Sequence, residues 1–192
     1  MLCGEASQAD HHRRIIVRMP TNILALLAGG DRRSIGRADE VAAAVSKNHT
    51  LFPTLMQGWR SNDPVVRMRA ADATEKITRK QPDLLRVYKE ELLALMTETE
   101  QQELRWHLAA IIPRLQLDPK ERQLASCLLR GYLRDNSSIV KTCALQALAD
   151  LAVDDSSIQH EVIRILRHAT RNGTPAMKAR SRKLLLQFDS DR

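Results

Sequence analysis

Aromatic side chains are scarce: the 192 residues include two Trp, two Tyr and two Phe. That argues against folds that read nucleic acid by stacking bases on aromatic platforms, and against aromatic-rich β-sandwiches. Cysteine is also sparse. Cys3, Cys127 and Cys143 are odd in number and far apart, so neither a disulfide framework nor a CxxC zinc pattern can be written. A reducing cytoplasm is the expected compartment. Apolar runs are short, the longest being of the kind found at 23–28 and 108–112. A spanning helix needs about 20 apolar residues, so no membrane segment is expected. Ile15–Val17 is too short for the apolar core of a signal peptide. HExxH, zinc spacings and the Gly-Lys-Ser/Thr of a phosphate loop are all missing, so neither a metal nor a cofactor is expected.

What is present points to helices. Hydrophobic residues make up 43% of the chain, enough for a core. Ala, Leu, Arg, Glu and Gln dominate, and all are strong helix formers. The expected class is all-α. The first residues are polar and basic, with His11, His12, Arg13, Arg14 and Arg18, so residues 1–19 read as a tail and 20–192 as one domain. Met19 stands just before the patterned sequence and is a candidate alternative start.

The pattern is a repeat. Arg67, Arg105, Lys141 and Lys178 are spaced 38, 36 and 37 residues apart. Before each stands an apolar residue: Val66, Leu104, Val140 and Met177. Six residues after come Ala73, Ile111, Ala147 and Leu184; ten after come Ile77, Leu115, Leu151 and Phe188. Twelve before stands a leucine every time, at Leu55, Leu93, Leu129 and Leu166. Positions −1, +3, +6 and +10 share one helical face, so each unit is a pair of helices. The expected helices cover 21–28, 37–47, 50–60, 64–79, 82–97, 101–115, 119–134, 137–153, 156–170 and 174–187. Asp63-Pro64 and Asp118-Pro119 supply a capping acid before a proline at the first helical position. Pro113 is expected to kink its helix.

A helix pair this short cannot bury its apolar face alone, and stacked neighbours can, giving a right-handed α-α superhelix of about four to five hairpins. The segment Asp63-Pro64-Val65-Val66-Arg67-Met68-Arg69-Ala70-Ala71-Asp72-Ala73 resembles the second helix of a HEAT repeat, and 138–148 resembles it more loosely. The resemblance covers roughly residues 37–188. It implies a noncatalytic scaffold or adaptor that binds a macromolecular partner, most naturally a protein, on the concave second-helix surface.

Candidate contacts on that surface are Trp106, Arg105, His107, Arg69, Lys141 and Arg180. Arg69, His107 and Arg180 belong to the +2 column, polar in three of four repeats and so expected to be exposed. Trp106 reads either as an interface anchor or as a side chain packed between repeats. The cation ladder Arg67, Arg105, Lys141 and Lys178 has two readings: pairing with acids such as Asp63, Asp72 and Asp135, or facing an anionic partner. Charge is unevenly distributed. The chain carries +7, yet residues 161–183 alone hold seven Lys/Arg against Glu161. Arg164, Arg167, Arg171, Lys178, Arg182 and Lys183 are therefore candidate anion-binding residues, or else a solvated polar end cap. The acidic counterpart lies at 90–104.

A nucleic-acid-associated role is the alternative. Its extreme form is similar to the HEAT-like alkyl-purine DNA glycosylases, a family that uses a carboxylate near cleft tryptophans. One turn after Trp106 stands Ala110, not an acid; Asp72, one repeat earlier and one turn from Met68, reads either as facing the groove or, flanked by Arg69 and Lys76, as a structural salt-bridge partner. The loop Gly29–Gly36, with Arg32, Arg33 and Arg37 nearby, reads either as a phosphate cradle or as a hairpin cap. Trp59 reads as structural. Cys127 and Cys143 are expected to pack inward.

Overall fold

The computed structural model describes residues 22–153 and 155–189. The tail expected over 1–19 and the start at Met19 lie outside the described residues. The fold is all-helical, with no strand among the described residues. Among the described residues ten α-helices follow one another: α1 (Ile23–Leu27), α2 (Ala38–Lys47), α3 (Phe52–Gln57), α4 (Pro64–Thr78), α5 (Lys89–Glu98), α6 (Gln102–Ile111), α7 (Pro119–Tyr132), α8 (Ser138–Ala152), α9 (Ser156–Asn172) and α10 (Pro175–Asp189). None of the described helices is long and apolar enough to cross a membrane.

Local chemistry sets these boundaries. Asp63 accepts from the Val65 amide and Pro64 opens α4. Asp118 and Glu121 form a reciprocal capping box at the start of α7. Ser137 and Asp155 cap α8 and α9. Three expected helices differ. The one expected over 50–60 is α-helical only at Phe52–Gln57, between 3₁₀ turns at His49–Leu51 and Gly58–Arg60. The chain after Pro82 begins as a 3₁₀ stretch, Pro82–Tyr88, before α5 starts, and Gln81 offers no side-chain cap. Pro113 ends α6 rather than kinking it: a 3₁₀ turn, Ile112–Arg114, follows, because proline has no N–H to continue the ladder.

Packing follows the repeat columns. The +6 residues Ala73, Ile111, Ala147 and Leu184 are buried, as are the +10 residues and the leucines at −12. Burying one leucine contributes about 1.5–3 kcal/mol over leaving it exposed. The even-numbered helices pack in a row, α4 against α2 and α6, and α8 against α6 and α10. The odd-numbered helices flank that row, and the buried apolar side chains form one continuous cluster from Ile23 to Phe188.

Polar ties reinforce the row. Arg67 donates back to the Ser61 carbonyl (2.7 Å) and forward to Gln101 Oε1 (2.8 Å). Arg105 does the same one hairpin later, to the Thr99 carbonyl (2.8 Å) and Asp135 Oδ2 (2.6 Å). The ladder thus pairs internally at its first two rungs, and Asp135 is one of the acids expected to serve it. Arg114 binds both the Glu75 carboxylate (2.5 Å) and its carbonyl (2.7 Å), joining the end of one hairpin to the helix of the previous one. Burial pushes the Glu75 carboxyl up, but Arg79 and Arg114 outweigh it and hold the group below the usual carboxylate range. Trp59 is 1% exposed and donates to Thr74 Oγ1 at 3.1 Å, so it is structural as expected.

Candidate functional site

The expected exposure of the +2 column fails in the N-terminal half. Arg69 is only 3% exposed. Its guanidinium donates to the carbonyls of Leu27 (2.8 Å), Gly29 (2.6 Å), Ser34 (3.0 Å) and Asp31 (3.2 Å). The loop between α1 and α2 folds over it, with Gly29, Gly30 and Gly36 all at positive φ. A Cβ at Gly36 would lie 2.6 Å from Arg69 Cζ, so only glycine leaves room for the guanidinium. This loop therefore aims carbonyl acceptors, not amide donors, at its occupant. Its polarity is the reverse of a phosphate cradle, and it caps the first hairpin around an arginine. Arg37 is taken up by Glu40 at 2.8 Å.

His107 is likewise buried, at 8% exposure, with Nδ1 2.6 Å from the Glu103 carbonyl. Trp106 is half-buried against the core, and its indole N–H donates to His107 Nε2 at 3.4 Å. Asp72, the acid weighed for a groove role, sits 2.7 Å from Lys76 and 3.8 Å from His107, and Lys76 also holds Asp39. Partial burial raises the Asp72 carboxyl, but the Lys76 ammonium at 2.7 Å outweighs it and the group lies below its ordinary value. An ionised carboxylate spent on joining α2, α4 and α6 is a structural tie.

The C-terminal end differs. Arg180 is exposed and donates to Gln146 Oε1 at 2.9 Å. Along α9, Ile158, Val162, Leu166 and Ala169 are buried, while His160, Arg164, Arg167, His168 and Arg171 stand exposed on the opposite side. At 1.5 Å per residue this cationic stripe runs about 16 Å. Glu161, the one acid of the basic segment, is bound by Arg130 of α7, and Arg164 reaches it only at 3.8 Å. Among the described residues, Lys141, Arg167, Arg171, Lys178, Arg182 and Lys183 make no ion pair.

Two clefts adjoin this stripe. One, of about 630 Å³, is rimmed by Lys141, Arg164, His168 and Arg171 over a floor that includes Leu145, Ile165 and Met177. The other, of about 510 Å³, is lined by His160, Arg164, Arg167 and Arg171 with Ile163 and Phe188. Neither lining contains a carboxylate. By contrast, a third cleft of about 470 Å³ has Arg32, Arg105 and Arg134 balanced by Glu100, Glu103 and Asp135. The structure thus brings Lys141, read from the sequence as a concave-face contact, together with Arg164 and Arg171 from the basic segment. Lys178, Arg182 and Lys183 lie outside both linings. His168 and the apolar floor were not among the candidates. Only the four-residue step from Arg164 to His168 hints at them.

Cys127 is exposed, contrary to expectation, because its helix turns Ala125, Ser126 and Leu129 inward instead. Cys143 is half-buried, and burial raises its thiol. Among the described residues no group of three or more His, Cys, Asp or Glu is placed to hold a metal ion. Compared with protein-family models, curated proteins and solved structures, the chain matches none.

Proposed function

We propose that this chain is a noncatalytic scaffold or adaptor, a short right-handed solenoid of HEAT-like hairpins that docks a partner protein at its C-terminal end. The row of even-numbered helices, each burying the same repeat columns, supports the solenoid reading. One observation carries the binding reading: Lys141, Arg164, Arg167 and Arg171 line two adjoining clefts with no acid in either. Elsewhere the cations are taken up by the fold, Arg105 by Asp135, Arg114 by Glu75 and Arg69 by loop carbonyls. Unmatched cations around an apolar floor suit a complementary surface supplied from outside. The N-terminal half of the row is less available, since Arg69 and His107 are consumed by the fold.

The same charge supports a second reading, nucleic-acid binding through phosphate contacts. The apolar floor of the larger cleft favours protein, because phosphates gain nothing from Ile165 or Met177. A photoreactive amino acid placed at position 167 or 171 tests the proposal in cells. A discrete protein adduct from these positions, absent when the probe sits at exposed Ala43 on α2, is expected. Adducts to nucleic acid alone support the second reading, and no adduct of either kind contradicts both.

A further inference from the structure

The larger cleft is not simply basic, and its composition specifies a ligand. Its rim carries Lys141 from α8 and Arg164, His168 and Arg171 from α9. Its floor exposes aliphatic and thioether surface from Leu133 just after α7, Ile165 of α9 and Met177 of α10, with the fully buried Leu145 of α8 beneath them. At about 630 Å³ it falls within the roughly 300–1,000 Å³ range of ligand sites. We infer that this cleft receives an acidic amphipathic segment of the partner protein, aliphatic side chains on the floor and carboxylates against Lys141, Arg164 and Arg171. The inference rests on the adaptor reading above and narrows it to one surface and one ligand chemistry.

Three observations select this occupant. First, charge complementarity requires an anion: four basic side chains are present in the lining and no acid. Second, the partly exposed Ile165 and Met177 on the floor suit a ligand that brings apolar side chains, as in helix-in-groove recognition. A nucleic acid backbone offers none, and stacking bases would need an exposed aromatic, whereas Phe188, the one aromatic nearby, is buried and lines the other cleft. Third, the rim cations are available. Lys141 and Arg171 make no ion pair among the described residues, and Glu161 is already held by Arg130. Exposed cations across an interface act mainly through long-range attraction and orientation, so binding should be strongly salt-dependent while the floor supplies selectivity.

The test uses the full chain and a fluorescein-labelled 14-residue peptide of Leu and Glu in amphipathic helical register. Fluorescence anisotropy is read at 50 and 200 mM NaCl. Three comparison probes are used: a scrambled peptide of the same composition, a version with every Leu replaced by Ser, and a short DNA duplex. The amphipathic peptide is expected to bind at low salt, about tenfold more weakly at high salt, and at least about fivefold more tightly than the scrambled or serine peptides. Lys141→Glu and Arg171→Glu are each expected to weaken it about tenfold, whereas Arg182→Glu, exposed on α10 outside the cleft, changes it less than about twofold. Thermal melting of each variant confirms that it is folded. Equal binding of the scrambled and serine peptides overturns the inference by removing the floor. An Arg182→Glu effect as large as that of Arg171→Glu overturns it by making the attraction diffuse. Tighter binding of the duplex overturns it in favour of nucleic acid. If no peptide binds while positions 167 and 171 still crosslink to a protein, the ligand chemistry fails and the adaptor reading stands.

Discussion

Replacing Arg69 by Ala probes how a buried cation is tolerated with no acid beside it. Its guanidinium makes four close hydrogen bonds, to the carbonyls of Leu27, Gly29, Asp31 and Ser34. The bond to Leu27 is buried and the rest are partly so. The carbonyls of Leu27 and Gly29 also follow the last turn of α1, where the helix dipole favours positive charge. Arg69→Ala strands the Leu27 carbonyl, at about 1–3 kcal/mol for an unsatisfied buried group. The half-buried carbonyls recover water, but the packing of the loop is lost as well. With the hydrogen bonds from a charged donor lost, we expect a total of about 2–4 kcal/mol. Gly36→Ala tests the same contact from the other side. Left-handed backbone costs an alanine about 1–2 kcal/mol, and the new Cβ also collides with Arg69 Cζ at 2.6 Å. In an Arg69→Ala background the collision disappears and only the backbone cost remains. The double-mutant cycle, measured by urea unfolding, should therefore show a coupling of at least about 1 kcal/mol. A loss below about 1 kcal/mol for Arg69→Ala, or an equal cost of Gly36→Ala in both backgrounds, refutes the reasoning.

Other consequences follow from single groups. Ser181 is fully buried at the +3 column, where the other repeats carry Ala70, Leu108 and Ala144, and its hydroxyl has no partner among the described residues. Ser181→Ala should therefore stabilise the fold by about 1 kcal/mol, read as a higher urea midpoint at unchanged slope; a lower midpoint would mean the hydroxyl is bonded. Trp59→Phe removes the donor to Thr74 and leaves a small void, and about 1–2 kcal/mol of loss is expected in the same assay. The carboxyls of Glu75, Asp72 and Asp135 are all lowered in the fold, Asp135 because the Ser137 amide and Arg105 outweigh its burial. They stay ionised where the unfolded chain takes up protons. Their contribution is complete above the ordinary carboxylate range, about pH 4–5, and is lost on acidification through the lowered folded values. Urea midpoints measured from pH 7 to pH 3 should fall at the acid end, and less so in Glu75→Gln; a flat profile contradicts this.

The repeat was legible because burial repeats with it. The columns at −12, +6 and +10 take side chains from different helices, yet each is buried in all four units. Helix starts were legible wherever an acid or serine stood before the first turn, at Asp63, Asp118 and Ser137. The failures have a common physical origin. Arg69 is buried by backbone carbonyls of a loop more than 30 residues earlier, and carbonyls leave no trace in residue identity. His107 is buried within α6 with its Nδ1 satisfied by the Glu103 carbonyl one turn earlier, again a backbone group. Cys127 misled because one residue of phase on α7 separates an inward from an outward position. The basic segment was visible as composition, but composition does not separate its seven cations. Only the packing of α8 against α9 and α10 selects Arg164 and Arg171, adds Lys141 from outside the segment and supplies the apolar floor.

In the proposed adaptor the working surface is the pair of carboxylate-free clefts at the end formed by α8, α9 and α10, while the inner residues of α4 and α6 serve the fold. Backbone amide shift mapping of the full chain, titrated with the amphipathic Leu/Glu peptide, tests it most directly. Shifts concentrated at 141–145, 164–171 and 174–177, with 67–72 and 103–107 unmoved, are the expected result. Shifts centred on Trp106 and the α4–α6 face, or spread evenly over every basic residue, would contradict it.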